Sequence, residues 1–223
     1  EAERHRDELR DRLHGLEQER AGLDARISAL ARSLDQRDAS GALLADAPRG
    51  IAGRVSDHVR VEEGYELAVA AALGRFADAL LAEGGDDAAE AVSRARSRDL
   101  GRLDVVIARA GEGFETAAAA PEIAGMRRVV DVVRAADGVL GVLARSYVAD
   151  DLLAARAAST ELRGAVPGGG YTIVTLAGDV LTEHTLTGGS GQAPSRIELI
   201  ADREQAEQRR EALAAEIGEA STE

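Results

Sequence analysis

The chain has 223 residues, 45% of them apolar, enough to bury one sizeable core or two small ones. Aromatics are only 2%, so alanine, valine and leucine must build that core, and the absence of cysteine excludes disulfides, thiolate zinc sites and a cysteine nucleophile. A net charge of −13 excludes a general affinity for polyanions, and all 27 basic residues are arginine, a bias that with the alanine content points to a GC-rich genome.

No apolar run approaches the roughly 18 residues of a membrane span, and the charged opening EAERHRDELR has no signal-peptide pattern. The expectation is a cytoplasmic protein without a membrane partner. From Ala2 to Leu34 one heptad register holds. Ala2, Leu9, Leu16, Leu23 and Leu30 form one core row, and Arg6, Leu13, Arg20, Ile27 and Leu34 form the other. Ser40-Gly41 and Pro48-Arg49-Gly50 break the helix, and a mixed α/β region follows. Ile51 to Val61 predicts a strand, Glu62-Glu63-Gly64 a loop, Tyr65 to Leu73 an alanine-rich helix and Phe76 to Leu81 a short strand. Asp86-Asp87 can start a helix that runs to about Arg98. Leu103 to Ala108 is a buried strand, and Gly111 to Pro121 a loop or loose helix.

The second half repeats the first in outline. Val55 to Arg60 corresponds to Val129 to Arg134, which matches Asp57 with Asp131, Val59 with Val133, Arg60 with Arg134 and, further on, Gly64 with Gly138. Ala149-Asp-Asp-Leu-Leu then answers Ala77-Asp-Ala-Leu-Leu, and Leu152 to Arg163 closes the repeat as a helix. Pro167 to Gly170 leads into a hairpin: Tyr171 to Leu176, a turn at Ala177-Gly178-Asp179, and an extended run from Val180 to Leu186. Gly188, Gly189, Ser190 and Gly191 follow, a bare stretch of backbone that either a phosphate or another polypeptide can approach. The last helix has Leu199, Ala206, Leu213 and Ala220 in one core row and Arg203, Arg210 and Ile217 in the other. Arginine at such positions covers the seam with its stem while the guanidinium reaches water.

Most enzymatic readings of these residues fail on pattern. GxxxxGK[ST] cannot occur without lysine, and no GxGxxG follows a strand, so no nucleotide cofactor is expected. Asp179, His184 and Ser190 could be written as a triad, but eleven residues of hairpin and loop do not fold three side chains into that geometry, and there is no nucleophile elbow. His5 and His14 are nine apart and His58 is alone, so no metal is expected. Asp86-Asp87 and Asp150-Asp151 are helix-start carboxylates rather than acid–base pairs. One rival class stays open, a nucleic-acid-binding module that uses the local clusters Arg94, Arg96, Arg98 and Arg102, and Arg127 with Arg128, with dimerisation incidental.

The segments VEEGYELAVAAALG (Val61–Gly74), IVTLAGDVL (Ile173–Leu181) and TGGSGQAPS (Thr187–Ser195), set between heptad arms, resemble the hinge domain of bacterial structural-maintenance-of-chromosomes (SMC) proteins over essentially the whole chain. The resemblance implies an α+β hinge of two pseudo-repeated subdomains flanked by an antiparallel coiled coil made of both ends. The expected boundaries are 1–40 for the N-terminal arm, 41–195 for the hinge (subdomains of about 41–120 and about 121–195) and 196–223 for the C-terminal arm. It implies a homodimer joined through Gly188, Gly189, Ser190 and Gly191, a non-enzymatic fragment of a full-length ATPase, and a role in chromosome condensation and segregation at the nucleoid. Kleisin-type accessory subunits would bind the head region, which is absent here. DNA would be at most a weak partner.

Overall fold

The computed structural model describes the backbone of residues 2–34, 39–46, 48–110, 121–166, 169–189 and 195–220. The chain divides into two compact units, Glu1–Gln36 with Leu199–Glu223, and Arg37–Glu198.

Helix α1 (Ala2–Leu34) opens the chain, and the central unit begins with a short helix α2 (Ala39–Leu44). Ser40-Gly41 therefore lies inside a helix instead of breaking one. Ser40 is buried, and its hydroxyl donates to the Asp78 carbonyl at 3.1 Å. The single strand expected over Ile51 to Val61 is divided. β1 (Ile51–Arg54) runs into a 3-10 turn at Val55–His58, and β2 (Arg60–Val61) follows. The bend sinks Val55 and Ser56 side by side into the core, which an alternating strand cannot do. Next come α3 (Glu66–Leu73), a 3-10 turn at Gly74–Asp78 that takes half of the expected Phe76–Leu81 strand, and β3 (Leu80–Ala82). α4 (Gly85–Ser97) starts where the two aspartates predict, with Asp87 accepting from the Gly84 amide at 3.1 Å. β4 (Val105–Ile107) completes the first half; the expected loop at 111–120 lies outside the described residues.

The second half runs β5 (Arg127–Arg128), a 3-10 turn at Val129–Asp131, β6 (Val133–Arg134), α5 (Asp137–Leu143), β7 (Ser146–Ala149), α6 (Leu152–Ala165) and β8 (Thr172–Thr175). Its topology duplicates the first half. β1 is antiparallel to β3 and β3 parallel to β4, just as β5 is antiparallel to β7 and β7 parallel to β8. The two remaining strands meet in a ladder in which Arg60 pairs with Arg134 and Val61 with Val133, so the matched arginines sit across an approximate two-fold axis. Gly64 and Gly138 do not match in conformation: the first is in the loop before α3, the second inside α5.

Each half lends a helix to the other. α3 packs on β8 and α5 on β4, and the two helices touch. One shared core results, with Val55, Val69 and Leu73 from the first half meeting Val129, Val139 and Val174 from the second. Helix α4 covers the outer face of the small sheet, with its Ala95 in one cluster with Leu80 of β3, and α6 covers the larger sheet with Ala155 and Leu162. This sheet gains two strands, β9 (Val180–Thr182) and β10 (Leu186–Thr187), giving the order β10-β9-β8-β7-β5. The run expected from Val180 to Leu186 is thus two short strands. The turn between them is held by Thr182 Oγ1, which accepts from the amides of His184 and Thr185 at 3.2 and 3.0 Å.

In the other unit, α1 pairs with α7 (Arg196–Ala220), whose first residues belong to the central unit. Ala206, Leu213 and Ala220 of the expected row are buried, and Leu13, Leu16, Leu23 and Ile27 are half-buried. Arg20 and Arg210 are exposed in the same stripe. Ion pairs Glu19–Arg209 at 3.0 Å and Arg26–Asp202 at 3.3 Å set the helices antiparallel.

Candidate functional site

The β8–β9 turn is built by Thr175 and Asp179. The Thr175 amide donates to the Asp179 carbonyl at 2.9 Å, and the Thr175 hydroxyl donates to the Asp179 carboxylate at 2.8 Å while accepting from the Asp179 amide at 3.0 Å. Asp179 is therefore occupied as a turn residue, not as a triad member. β10 pairs with β9 through Leu186↔Leu181 and Thr187↔Val180 and is, among the described residues, the last strand of its sheet. Leu186 is 57% exposed there, a large apolar side chain on an open edge.

The strand ends on Gly188 and Gly189, both exposed. A Cβ on Gly188 would lie 2.1 Å from Asp179 Oδ1, so any side chain there must displace the turn carboxylate, and glycine lets that backbone approach it closely. Gly189 has φ +134°, which disfavours any side chain, and among the described residues nothing stands within 4 Å of where its Cβ would be. One bare position is thus explained by a neighbour within the chain, and the next has no such neighbour among the described residues. Ser190 and Gly191 lie outside the described residues. Beside Gly189 a cleft of about 500 Å³ is lined by Leu67, Ala70, Gly74, Gly178 and Arg196. Its far side is the start of α7, where Ser195 and Glu198 make a reciprocal cap: the Glu198 amide donates to Ser195 Oγ at 3.2 Å and the Ser195 amide to Glu198 Oε2 at 2.8 Å. The pattern Ser195-x-x-Glu198 was available in the sequence and marks this helix start.

Five of the six candidate arginines are paired with carboxylates of this chain. Arg94 is ion-paired with Glu90 at 2.5 Å, Arg98 with Asp46 and Arg102 with Asp104 at 3.5 Å; Arg96 is exposed. Arg127 donates to both Glu62 oxygens at 2.9 and 3.0 Å and to Tyr65 Oη at 3.0 Å, with its guanidinium 5.0 Å from the Tyr65 ring. That bond holds the Glu62 carboxyl below the usual range and raises Arg127 further. Arg128 donates to both Asp131 oxygens at 2.8 and 2.9 Å. The Arg127 contact ties the second half to the first across 65 positions of sequence, a partnership that no local pattern announces. Among the described residues no cluster of His, Asp or Glu could hold a metal, and no helix is long and apolar enough to cross a membrane.

Two interlocked α/β repeats with an antiparallel helix pair made from both ends of the chain define a hinge domain, in which the polypeptide reverses direction. Residues 48–159 match the family described as "SMC proteins Flexible Hinge Domain", and the chain belongs to that family. It is 32% identical over 96% of its length to the chromosome partition protein Smc of Mycolicibacterium paratuberculosis, and 31% identical over 96% to that of Mycobacterium tuberculosis. The chain spans 18% of the length of these relatives. Its fold is similar to that of a chain in the crystal structure of an asymmetric dimer of the Geobacillus stearothermophilus SMC hinge domain, with TM-score 0.74 and 20% identity over 97% of this chain and 92% of that one. The Pyrococcus furiosus Smc hinge domain with an extended coiled coil is also similar, with TM-score 0.55 and 21% identity over 99% and 79%.

Proposed function

We propose that this chain is the homodimerisation hinge of a chromosome-organising SMC ATPase, with arms at 1–40 and 196–223 and the hinge between them. The observation that carries the reading is the open edge of β10, where exposed Leu186 runs into the bare backbone of Gly188 and Gly189. An unpaired strand edge with an apolar residue is a template for another chain, and glycine admits that chain's backbone. The internal repeat supports it further. β8 is flanked by β9, whereas the equivalent strand β4 ends its sheet among the described residues. A twin's β10 edge set beside β4, repeated about a two-fold axis, would close a ring without leaving those edges free.

The relatives' name, chromosome partition protein, supports a role in chromosome segregation, in the cytoplasm at the nucleoid. Kleisin-type subunits would act on a head region outside this chain. DNA contact through the six arginines has less support, since all but Arg96 are paired with carboxylates. The test is size exclusion coupled to light scattering on the wild type and on Gly188→Glu/Gly189→Glu. A wild-type dimer at micromolar concentration and a variant monomer with unchanged circular dichroism is the expected result. A variant that remains dimeric would move the interface to the arms.

A further inference from the structure

A second groove of the central unit, about 380 Å³, lies between α6 and the β9–β10 turn and is lined by Arg156, Thr160, Arg163, His184 and Leu186. Arg156 and Arg163 are seven residues apart, so they stand on one face of α6 about 10 Å from each other. Neither has a hydrogen bond or an ion pair to any other described residue, in contrast to Arg94, Arg98, Arg102, Arg127 and Arg128. The groove's one carboxylate, Glu183, accepts from the Gly170 amide at 3.1 and 3.2 Å. Thr182 Oγ1 is satisfied within its own turn. Two cations thus stand without a partner among the described residues, in a groove of a chain whose net charge is −13.

We infer that this groove is the charged rim of the twin contact, in which Arg156 and Arg163 receive carboxylates of a second copy of this chain. The inference rests on the proposed dimer. Leu186 decides the occupant, because it belongs both to the groove wall and to the open β10 edge and is 57% exposed. A partner that covers the edge covers the mouth of the groove as well. A second copy offers what both parts need, a strand for the edge and an excess of acidic residues, 40 against 27 basic, for the arginines. A nucleic-acid backbone would satisfy the cations but leave the leucine in water. Rim charges act mainly on the rate of encounter and give association a salt dependence.

The experiment measures dimer Kd by sedimentation for the wild type, Arg156→Glu/Arg163→Glu and the milder Arg156→Gln/Arg163→Gln at about 50 and about 500 mM salt. All are checked for folding by circular dichroism. The charge reversal is expected to weaken dimerisation by about tenfold at low salt, the glutamine variant by less, and both differences to shrink at high salt. Equal Kd values for all three proteins at both salts overturn the inference and leave the dimer intact. A wild type that stays monomeric overturns the dimer and this rim with it. If Kd is unchanged while a fluorescent DNA duplex binds the wild type and not the variants, the groove is a nucleic-acid contact and the inference is likewise overturned.

Discussion

Gly138 and Gly141 lie one turn apart in α5, and alanine should have opposite effects at the two positions. A Cβ on Gly138 would stand 1.8 Å from the Ile107 carbonyl oxygen, 2.8 Å from Ile107 C and 3.3 Å from the Ala108 oxygen, where ordinary contact begins at 3.4 Å. All three are backbone atoms, so no rotamer relieves the clash, and α5 must lift from β4 by more than 1 Å. That shift also stretches the bond from the Gly138 amide to the Ala108 carbonyl, now 2.9 Å. Overpacking of this kind costs about 1–3 kcal/mol and a weakened hydrogen bond about 1, against a gain of up to about 1 from replacing glycine in a helix. The net expectation is a loss of about 2 kcal/mol. Gly141 is exposed and has nothing within 4 Å of its Cβ position, so only the propensity gain remains, about 0.5–1 kcal/mol. In urea titrations at fixed protein concentration, with a slope of about 2 kcal/mol/M, Gly138→Ala should lower the midpoint by about 1 M and Gly141→Ala should raise it slightly. If Gly138→Ala were as stable as the wild type, the exchange of helices between the two halves would not be as tight as argued, and the reasoning would fail.

Four further expectations follow from buried or paired groups. Tyr147 is 1% exposed, its phenol donates to the Pro121 carbonyl at 2.9 Å, and burial raises its pKa. Its contribution is therefore complete below the ordinary tyrosine value near 10 and is lost as pH rises through the folded one; Tyr147→Phe should flatten that alkaline slope and cost about 1 kcal/mol at neutral pH in urea titrations. Glu62 is shifted the other way, so its contribution is present above the ordinary carboxyl value and is lost as pH falls through the lowered one; Arg127→Met should remove that acid-side slope in melting curves. In the helix pair, Leu213→Ala should cost about 2–3 kcal/mol, since the side chain is 0% exposed. Arg203→Met should be close to neutral, because Arg203 Nε makes no hydrogen bond and meets only the half-exposed Glu207 one turn on, at 3.6 Å, and amide exchange in α7 reports both.

The helix pair was legible in the sequence because its signal is long. Seven-residue spacing along α7 picks out Ala206, Leu213 and Ala220, which the structure buries, and along α1 it picks out Leu13, Leu16, Leu23 and Ile27, which are half-buried; the row arginines Arg20 and Arg210 stay exposed. The repeat was legible for another reason: Asp57 and Asp131 both sit in 3-10 turns, and Arg60 and Arg134 form a cross-strand pair. Strands of two or three residues, such as β2, β6 and β10, carry no periodicity of their own, so Ile51–Val61 and Val180–Leu186 were joined where the structure bends them. The ion pairs that join separate elements were hidden by distance along the chain. Glu62 meets Arg127 and Asp46 meets Arg98 only because the fold brings them together. The glycine patch was visible as composition, but the reason for Gly188 was not, since it depends on where the Asp179 carboxylate comes to rest.

A single difference between the halves bears on how the hinge leads into its last helix. In the second half Asp131 accepts from Arg128, three residues earlier, through two bonds of 2.8 and 2.9 Å. Arg54 holds the equivalent place in the first half, but it is 4% exposed and its Nη1 reaches the Asp78 carbonyl at 3.4 Å. Asp57 is ion-paired instead with Arg196, the first residue of α7, at 3.6 Å. The same carboxylate thus closes its own turn in one repeat and holds the first turn of the departing helix in the other. A perfectly symmetric duplication would leave Arg196 without that partner. The asymmetry is therefore where the duplicated body is fitted to one particular chain exit, and the aspartate that both repeats retain does different work according to which arginine the fold turns inward.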